Sequence, residues 1–344
     1  MGTQIQFRRD TAANWTSNNP TLAVGEVGLE TDTHAYKIGD GATAWASLGY
    51  HQLAPEITTL LLNGQGSDPS APGSGGLVVY SKAVAGRMML KQIGPSGLST
   101  ALQPFLARNK VGYWNPPGNA TTVPGVFGYT APTVLGTATA RTIATTNLFT
   151  RMRRLGYVSS ATAGNLAGPY LAVAQVTIGD GSGNGGFYKL CRFGCSDAAT
   201  VAGARQFVGV SSTTAAPTNV EPSTLTNCIG VGHGAADTNL KIFYGGSAAQ
   251  TPVNLGANFP ANTLSTDVYE LALFSPPNDN NHVYYEVTRL NTGDVATGTL
   301  TGVAGTALPA STTLLAYQRA WRCNNATAKA VGLDIMSDYI ETDN

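Results

Sequence analysis

Across the second half of the chain, apolar and polar residues alternate in short runs separated by turn-forming clusters. From Val268 to Phe274 the odd positions carry Tyr269, Leu271 and Leu273, while the even positions are mixed. From Val283 to Leu290, the set Val283, Tyr285 and Val287 alternates with Tyr284, Glu286 and Thr288. A period of two puts each set on one face of a sheet, so both runs predict half-buried β-strands. The same reading extends to LAVAQVTIGD, GFYKLCRFGC, ARQFVGVSS, NCIGVGHG, LKIFYGG, TLLAYQRAWRC and AVGLDIMSDYIET, which are divided by turns such as PPNDNN and NTGD. Strand upon strand without intervening helices predicts an antiparallel sandwich, jelly-roll-like in organisation, over residues 111–344.

The first half reads differently. Two turn-prone clusters, Thr31-Asp32-Thr33 and Gly39-Asp40-Gly41, interrupt strand-like runs and predict a pair of β-hairpins, because Asp-Gly suits the positive φ values of a tight hairpin turn. We place a hairpin unit at residues 1–55 and a linker or neck at 56–110. The neck contains the Gly/Ser/Pro-rich NGQGSDPSAPGSGG, a strand at Val78 to Ala83 and a turn at Gly94-Pro95-Ser96-Gly97. One short helix is expected in TTNLFTRMRRLGYVSS, capped by Thr145 or Thr146 and closed near Gly156. The chain is therefore predicted to be all-β.

Composition narrows the function classes. Charged residues are 12% of the 344 and the formal net charge is zero, so no general electrostatic attraction for nucleic acid or anionic lipid exists. So little charge also suggests surface hidden by self-association. The opening MGTQIQFRRD has no apolar core of a secretory leader, and no apolar run is long enough for a membrane-spanning helix. Cys191 and Cys195 share one strand-like run, where four residues span ~13 Å against the ~7 Å limit for a disulfide. Reduced, buried thiols are expected for these and for Cys228 and Cys323.

Candidate chemistry is sparse. Gly181, Gly183 and Gly186 satisfy G-x-G-x-x-G, but a strand follows where a dinucleotide site needs a helix. Asp180, Ser182, Asn184 and Gly185 begin like a calcium loop, yet Cys191 stands where the bidentate carboxylate belongs, leaving at most a weak carbonyl site. His34, His51, His233 and His282 lack ligand spacing and suit surface or turn positions. Arg151, Arg153 and Arg154 form an isolated basic trio, expected as a solvated helix face or subunit contact and not a nucleic-acid site. No cofactor, metal or catalytic residue is predicted. The better candidates are receptor-binding residues in loops: Tyr113, Trp114 and Asn115, and the polar hairpin tip Asn278, Asp279, Asn280 and Asn281. Exposed aromatics offer faces on which sugar rings stack, and loops on a rigid scaffold are the usual place for binding.

The segment Ile5 to Tyr50, with its Gln-Phe-Arg-Arg opening, Asn-Pro-Thr-Leu, Gly-Glu-Val-Gly-Leu-Glu-Thr-Asp and Lys-Ile-Gly-Asp-Gly, resembles the N-terminal repeat of tailed-bacteriophage tail fibres and receptor-binding proteins. Similar segments open phage tropism determinants and hyaluronidase-type fibres. GARQFVGVSS, IGVGHGAAD, KIFYGG and YIETDN resemble distal fibre regions, and LVVYSKAVAGRMMLKQIGPSGLSTALQP the segment joining the two. The resemblance implies a homotrimeric virion protein, assembled in the host bacterial cytoplasm. Its N-terminus, with Gly39, Asp40 and Gly41 in the anchor, would dock on other tail or baseplate proteins. Its head would attach to a host surface glycan or outer-membrane protein without catalysis or membrane insertion. A depolymerase tailspike and a structural head fibre or capsid decoration are the alternatives. Hairpins of ~50 residues bury too little to stand alone, which also favours assembly around an axis.

Overall fold

The computed structural model describes residues 7–51, 59–97, 99–101, 110–118, 120–122 and 127–342. The chain divides into two compact units, Met1–Leu62 and Asn63–Asn344. The boundary expected at residues 55 and 56 lies outside the described residues.

In the smaller unit, β1 (Arg8–Asp10) runs parallel to β2 (Val27–Glu30), which pairs antiparallel with β3 (Tyr36–Ile38). A parallel pair needs a crossover, and helix α1 (Ala12–Asn18) supplies it. The sequence predicts hairpins alone here. The helix escaped notice because its seven residues, AANWTSN, carry no apolar period, although Thr11 caps it by accepting from the Asn14 N–H. The turn at Thr31-Asp32-Thr33 does join a hairpin, β2 to β3. Gly39-Asp40-Gly41 does not: only Gly41 has positive φ, and Asp40 accepts from the Ala42 and Thr43 N–H groups at 2.9 and 2.7 Å, leading into a 3-10 turn at Trp45–Ser47. Trp15, Leu22 and Trp45 form the core, with the two indoles stacked at 4.2 Å.

The described residues of the larger unit form three sheets. Its strands are β4 (Gly64–Gln65), β5 (Val78–Val84), β6 (Arg87–Ile93), β7 (Ser99–Ala101), β8 (Lys110–Trp114), β9 (Thr133–Leu135) and β10 (Thr137–Ala140). After the one-turn helix α2 (Leu148–Arg151) come β11 (Leu155–Val158), β12 (Leu166–Tyr170), β13 (Phe187–Cys195), β14 (Arg205–Ser211), β15 (Cys228–His233) and β16 (Lys241–Gly245). The last are β17 (Val253–Asn254), β18 (Tyr269–Ser275), β19 (His282–Arg289), β20 (Asp294–Thr301), β21 (Ala316–Cys323) and β22 (Gly332–Thr342).

One sheet runs β10-β11-β22-β13-β18-β19-β20, with β8 also on β22; the other runs β17-β16-β15-β14-β21-β12-β9. Leu271, Leu273, Val283 and Val287 of the first meet Val208, Val210, Ile229 and Val231 of the second in one core. The expected all-β sandwich is observed. The small β4-β5-β6-β7 sheet adds a third layer, in which Ala85 packs with Tyr188 and Ala272.

Three expectations change. LAVAQVTIGD is not a strand: β12 lies just before it, the Leu171 N–H donates to the Gln318 carbonyl of β21 at 2.9 Å, and the rest of the segment forms an isolated bridge between Val176 and Leu315. β20 was missed because DVATGTLT is small and polar. Helix α2 is capped by Asn147 in a reciprocal box with Thr150, not by Thr145 or Thr146, and Gly156 belongs to β11. Arg154 is not on a solvated face either. It is buried, and its Nε donates to Asp334 at 3.0 Å.

Candidate functional site

The Gly179 to Gly186 loop and the β18–β19 turn pack side by side at one end of the sandwich. Asp180 organises the first: its carboxylate accepts from the Ser182 N–H at 2.7 Å, the Asn184 N–H at 3.1 Å and the Asn184 side-chain amide at 2.7 Å. These bonds, the Asn184 amide foremost, hold its pKa below the usual aspartate value. With both oxygens so engaged, the calcium-like pattern of the sequence is explained as an Asx-turn. Among the described residues no group of three or more His, Cys, Asp or Glu side chains could hold a metal.

The loops are joined by backbone. Gly181 and Gly183 each donate to the Pro277 carbonyl at 3.2 Å. A Cβ at Gly179 would lie 2.0 Å from the Pro276 carbonyl oxygen, so glycine is required there by close approach. In the facing turn, Asp279 accepts from the Asn281 N–H at 2.8 Å and meets His282 Nδ1 at 2.7 Å. Partial burial works against ionisation of Asp279, but these hydrogen bonds prevail and its pKa is lowered. Asn278 and Asn281 are exposed, whereas Asp279 and Asn280 are half-buried. Beside this rim a cavity of about 180 Å³ is lined by Arg87, Gly186, Tyr188, Phe274, Pro277 and Glu341. Arg87 pairs with Glu341 and lies over the Tyr188 and Phe274 rings.

The second expected group is not a loop. Tyr113 and Trp114 sit on β8, paired with Tyr339 and Asp338 of β22. Trp114 is fully buried in the intersheet core, so its expected loop exposure is corrected: strand alternation turns it inward while Tyr113 faces outward. Tyr113 is 42% exposed beside Phe127 at 62%, an aromatic neighbour that sequence reading missed. Asn115 is half-buried. The two candidate groups do not converge, since β22 and β13 stand between β8 and β18, about 14 Å across at ~4.8 Å per strand.

Buried polar side chains were the least foreseen feature. His233, expected at a surface, is buried, and its Nε2 lies 2.8 Å from Arg322 Nη1 while Nδ1 meets the Gly234 carbonyl at 3.2 Å. These partners place the proton on Nδ1, with Nε2 accepting. Burial first, and then the Arg322 charge, hold its pKa down at about 3. Lys189 and Asp338 form a fully buried pair between the sheets. All four cysteines are free and buried, and burial raises every thiol pKa.

Known proteins resemble this chain in two ways. Residues 5–43 match the family described as Major tropism determinant N-terminal domain. Over 60 residues the chain is 38% identical to a protein named Hyaluronoglucosaminidase from Streptococcus pyogenes phage H10403, a stretch covering 17% of this chain and 17% of that protein. The resemblance to phage fibres and receptor-binding proteins read from Ile5 to Tyr50 thus stands. Among solved structures, peanut lectin with a 9mer peptide is similar over 68% of this chain and 97% of its own, at 12% identity and TM-score 0.45. The CBM2 module of the evolved Dit of Lactobacillus casei BL23 phage J-1 is similar over 68% and 96%, at 16% identity and TM-score 0.39.

Proposed function

We propose that this chain is the receptor-binding fibre component of a tailed-phage virion, acting by attachment and without catalysis. The match of residues 5–43 to the tropism-determinant N-terminal domain carries the reading. In it, residues 1–55 dock on other tail or baseplate proteins, 56–110 form a neck, and 111–344 form the head that meets a host surface glycan or outer-membrane protein. Three chains assemble around one axis, and the avidity of three heads turns weak contacts into stable adhesion. The polar rim of Asn278, Asp279, Asn280 and Asn281, and exposed Tyr113, suit such contacts.

A depolymerase is the second reading, motivated by the printed name of the phage relative. Glycoside hydrolysis needs two carboxylates flanking a bound sugar. Glu270 and Glu286 are neighbours on β18 and β19, and burial raises the Glu286 pKa. Glu270 is held by Arg192, however, and Glu286 accepts from the Ala85 N–H at 3.3 Å beneath the β5–β6 hairpin. That engagement supports binding over cleavage. A structural head fibre is the third reading.

Fluorescently labelled protein on host cells, with a parallel assay for sugar released from their envelopes, tests all three. Binding without release is expected. Release of oligosaccharide would make the depolymerase right, and neither binding nor release would favour a structural part.

A further inference from the structure

The loop between β14 and β15 arches over the outer face of the seven-stranded sheet and borders a cavity of about 390 Å³. Its lining includes Ser211, Thr213, Thr224 and Thr226 from this side, with Arg319 and Trp321 from β21. Trp321 belongs to the outer cluster with Phe207, Cys228 and Phe243 and not to the intersheet core. The β14–β21 ladder shifts register between Gly209 and Ser211, at the cavity itself. Bulges of this kind re-aim side chains and recur beside binding sites.

Arg319 is the unusual member. It is 6% exposed, yet among the described residues it has no carboxylate partner. The other buried cations of this unit each have one: Arg154 with Asp334, Lys189 with Asp338, and Arg322 with Asp197. Arg319 Nη1 donates to the Thr213 and Ala215 carbonyls at 2.8 and 2.9 Å, and the guanidinium lies 5.9 Å from the Tyr170 ring centroid. The Nε–Nη2 edge, the side of a guanidinium that forks onto an oxyanion, has no acceptor among the described residues. Burial lowers its pKa, and only Tyr170 and Cys228 pull the other way. Among the described residues no acidic one lines the cavity. A buried, unneutralised cation at the wall of a hydroxyl-lined cavity calls for an anion from outside.

We propose that this cavity binds the anionic group of a glycan unit, a carboxylate or phosphate seated on the Nε–Nη2 edge of Arg319, with the sugar ring among the threonines and against Trp321. The biological source of that glycan rests on the attachment function above; the chemistry of the cavity does not.

The test is calorimetric titration of the full chain with methyl glucuronide, glucose phosphate and neutral methyl glucoside, at low and high salt. At least one charged sugar should bind about ten-fold or more tightly than the neutral one, because a charge-assisted hydrogen bond is worth that much. The tighter of the two names the source, and salt should weaken it. Arg319→Gln should abolish the preference. Ala216→Trp, at an exposed position on the cavity lining that makes no bond to Arg319, should block binding while leaving the guanidinium and its two carbonyl partners in place, and it decides the matter if Arg319→Gln does not fold. Equal binding of the neutral sugar, or unchanged binding in Ala216→Trp, overturns the proposal. If no charged sugar binds while labelled protein still coats host cells, the cavity assignment fails and the attachment reading stands.

Discussion

Arg322 and Asp197 meet as a fully buried fork, Nη2 to Oδ2 at 2.7 Å and Nε to Oδ1 at 3.0 Å. Asp197 also accepts from the Gly332 N–H at 2.7 Å, and Arg322 reaches Gln206, His233 and Asn262. The pair thereby ties β21 to the loop after β13, to the start of β22, and to β14 and β15. Removing one partner leaves a buried, uncompensated charge. Asp197→Ala should cost about 3–5 kcal/mol, read from urea unfolding of the larger unit. A loss under about 1 kcal/mol would show that the network is not structural.

The same network makes acid stability depend on His233. Its folded pKa of about 3 lies below the ordinary value of 6.5, so between these pH values the unfolded chain binds a proton that the folded chain does not. Stability should therefore be complete above about pH 6.5 and fall as pH drops towards 3, at about 1.4 kcal/mol per pH unit. His233→Gln should flatten that slope relative to the parent chain. Parallel urea midpoints for the two proteins across pH 4 to 7 would refute the assignment.

Gly28 lies beneath the Trp45 ring, where an added Cβ would come within 2.5 Å of Cζ3. Gly28→Ala should displace the Trp15–Trp45 stack and cost about 1–3 kcal/mol. Trypsin cutting after Arg8, Arg9 or Lys37 reports the loosening. An unchanged digestion rate would mean that the stack relaxes freely.

Thiol chemistry offers a further check. Burial pushes Cys228 up to about 12 and raises Cys191, Cys195 and Cys323, so thiolate is scarce at neutral pH. Native protein should resist a thiol-reactive dye, and all four cysteines should react once it is unfolded. Rapid labelling of the native chain would contradict the buried placement.

If three chains assemble as proposed, sedimentation of the purified protein should give a mass near three chains. A monomer at micromolar concentration would remove the trimer from the reading.

Strand alternation in the larger unit was legible because period two survives even where one face is mixed: Val283, Tyr285 and Val287 all turn inward as their spacing implied. Both-face burial was not legible. In β21 every residue is buried, including Gln318, Arg319 and Arg322, because one face meets the opposite sheet and the other meets loops. Polar residues in a strand read as solvent-facing unless their partners are known, and Asp197, Thr213 and Ala215 lie far along the chain. Trp114 was misplaced for the same reason: pairing with β22 makes its segment a strand, and the intersheet core covers its ring. Asn278 to Asn281 were legible as a turn, since the physics that selects Asn and Asp there is local.

The strand in the middle of the eight-stranded sheet is β22, flanked by β13 on one side and by β11 and β8 on the other. A ribosome delivers β11 and β13 long before it delivers residues 332–342. Until then the nascent sheet is two halves with open inner edges, each a template for mispairing with another chain. Translation through Thr342 is what zips the halves together, so a polypeptide stopped short of Gly332 should persist as a chaperone client and never as a partly folded sandwich. Slow, late closure of this kind is expected of so non-local a pairing.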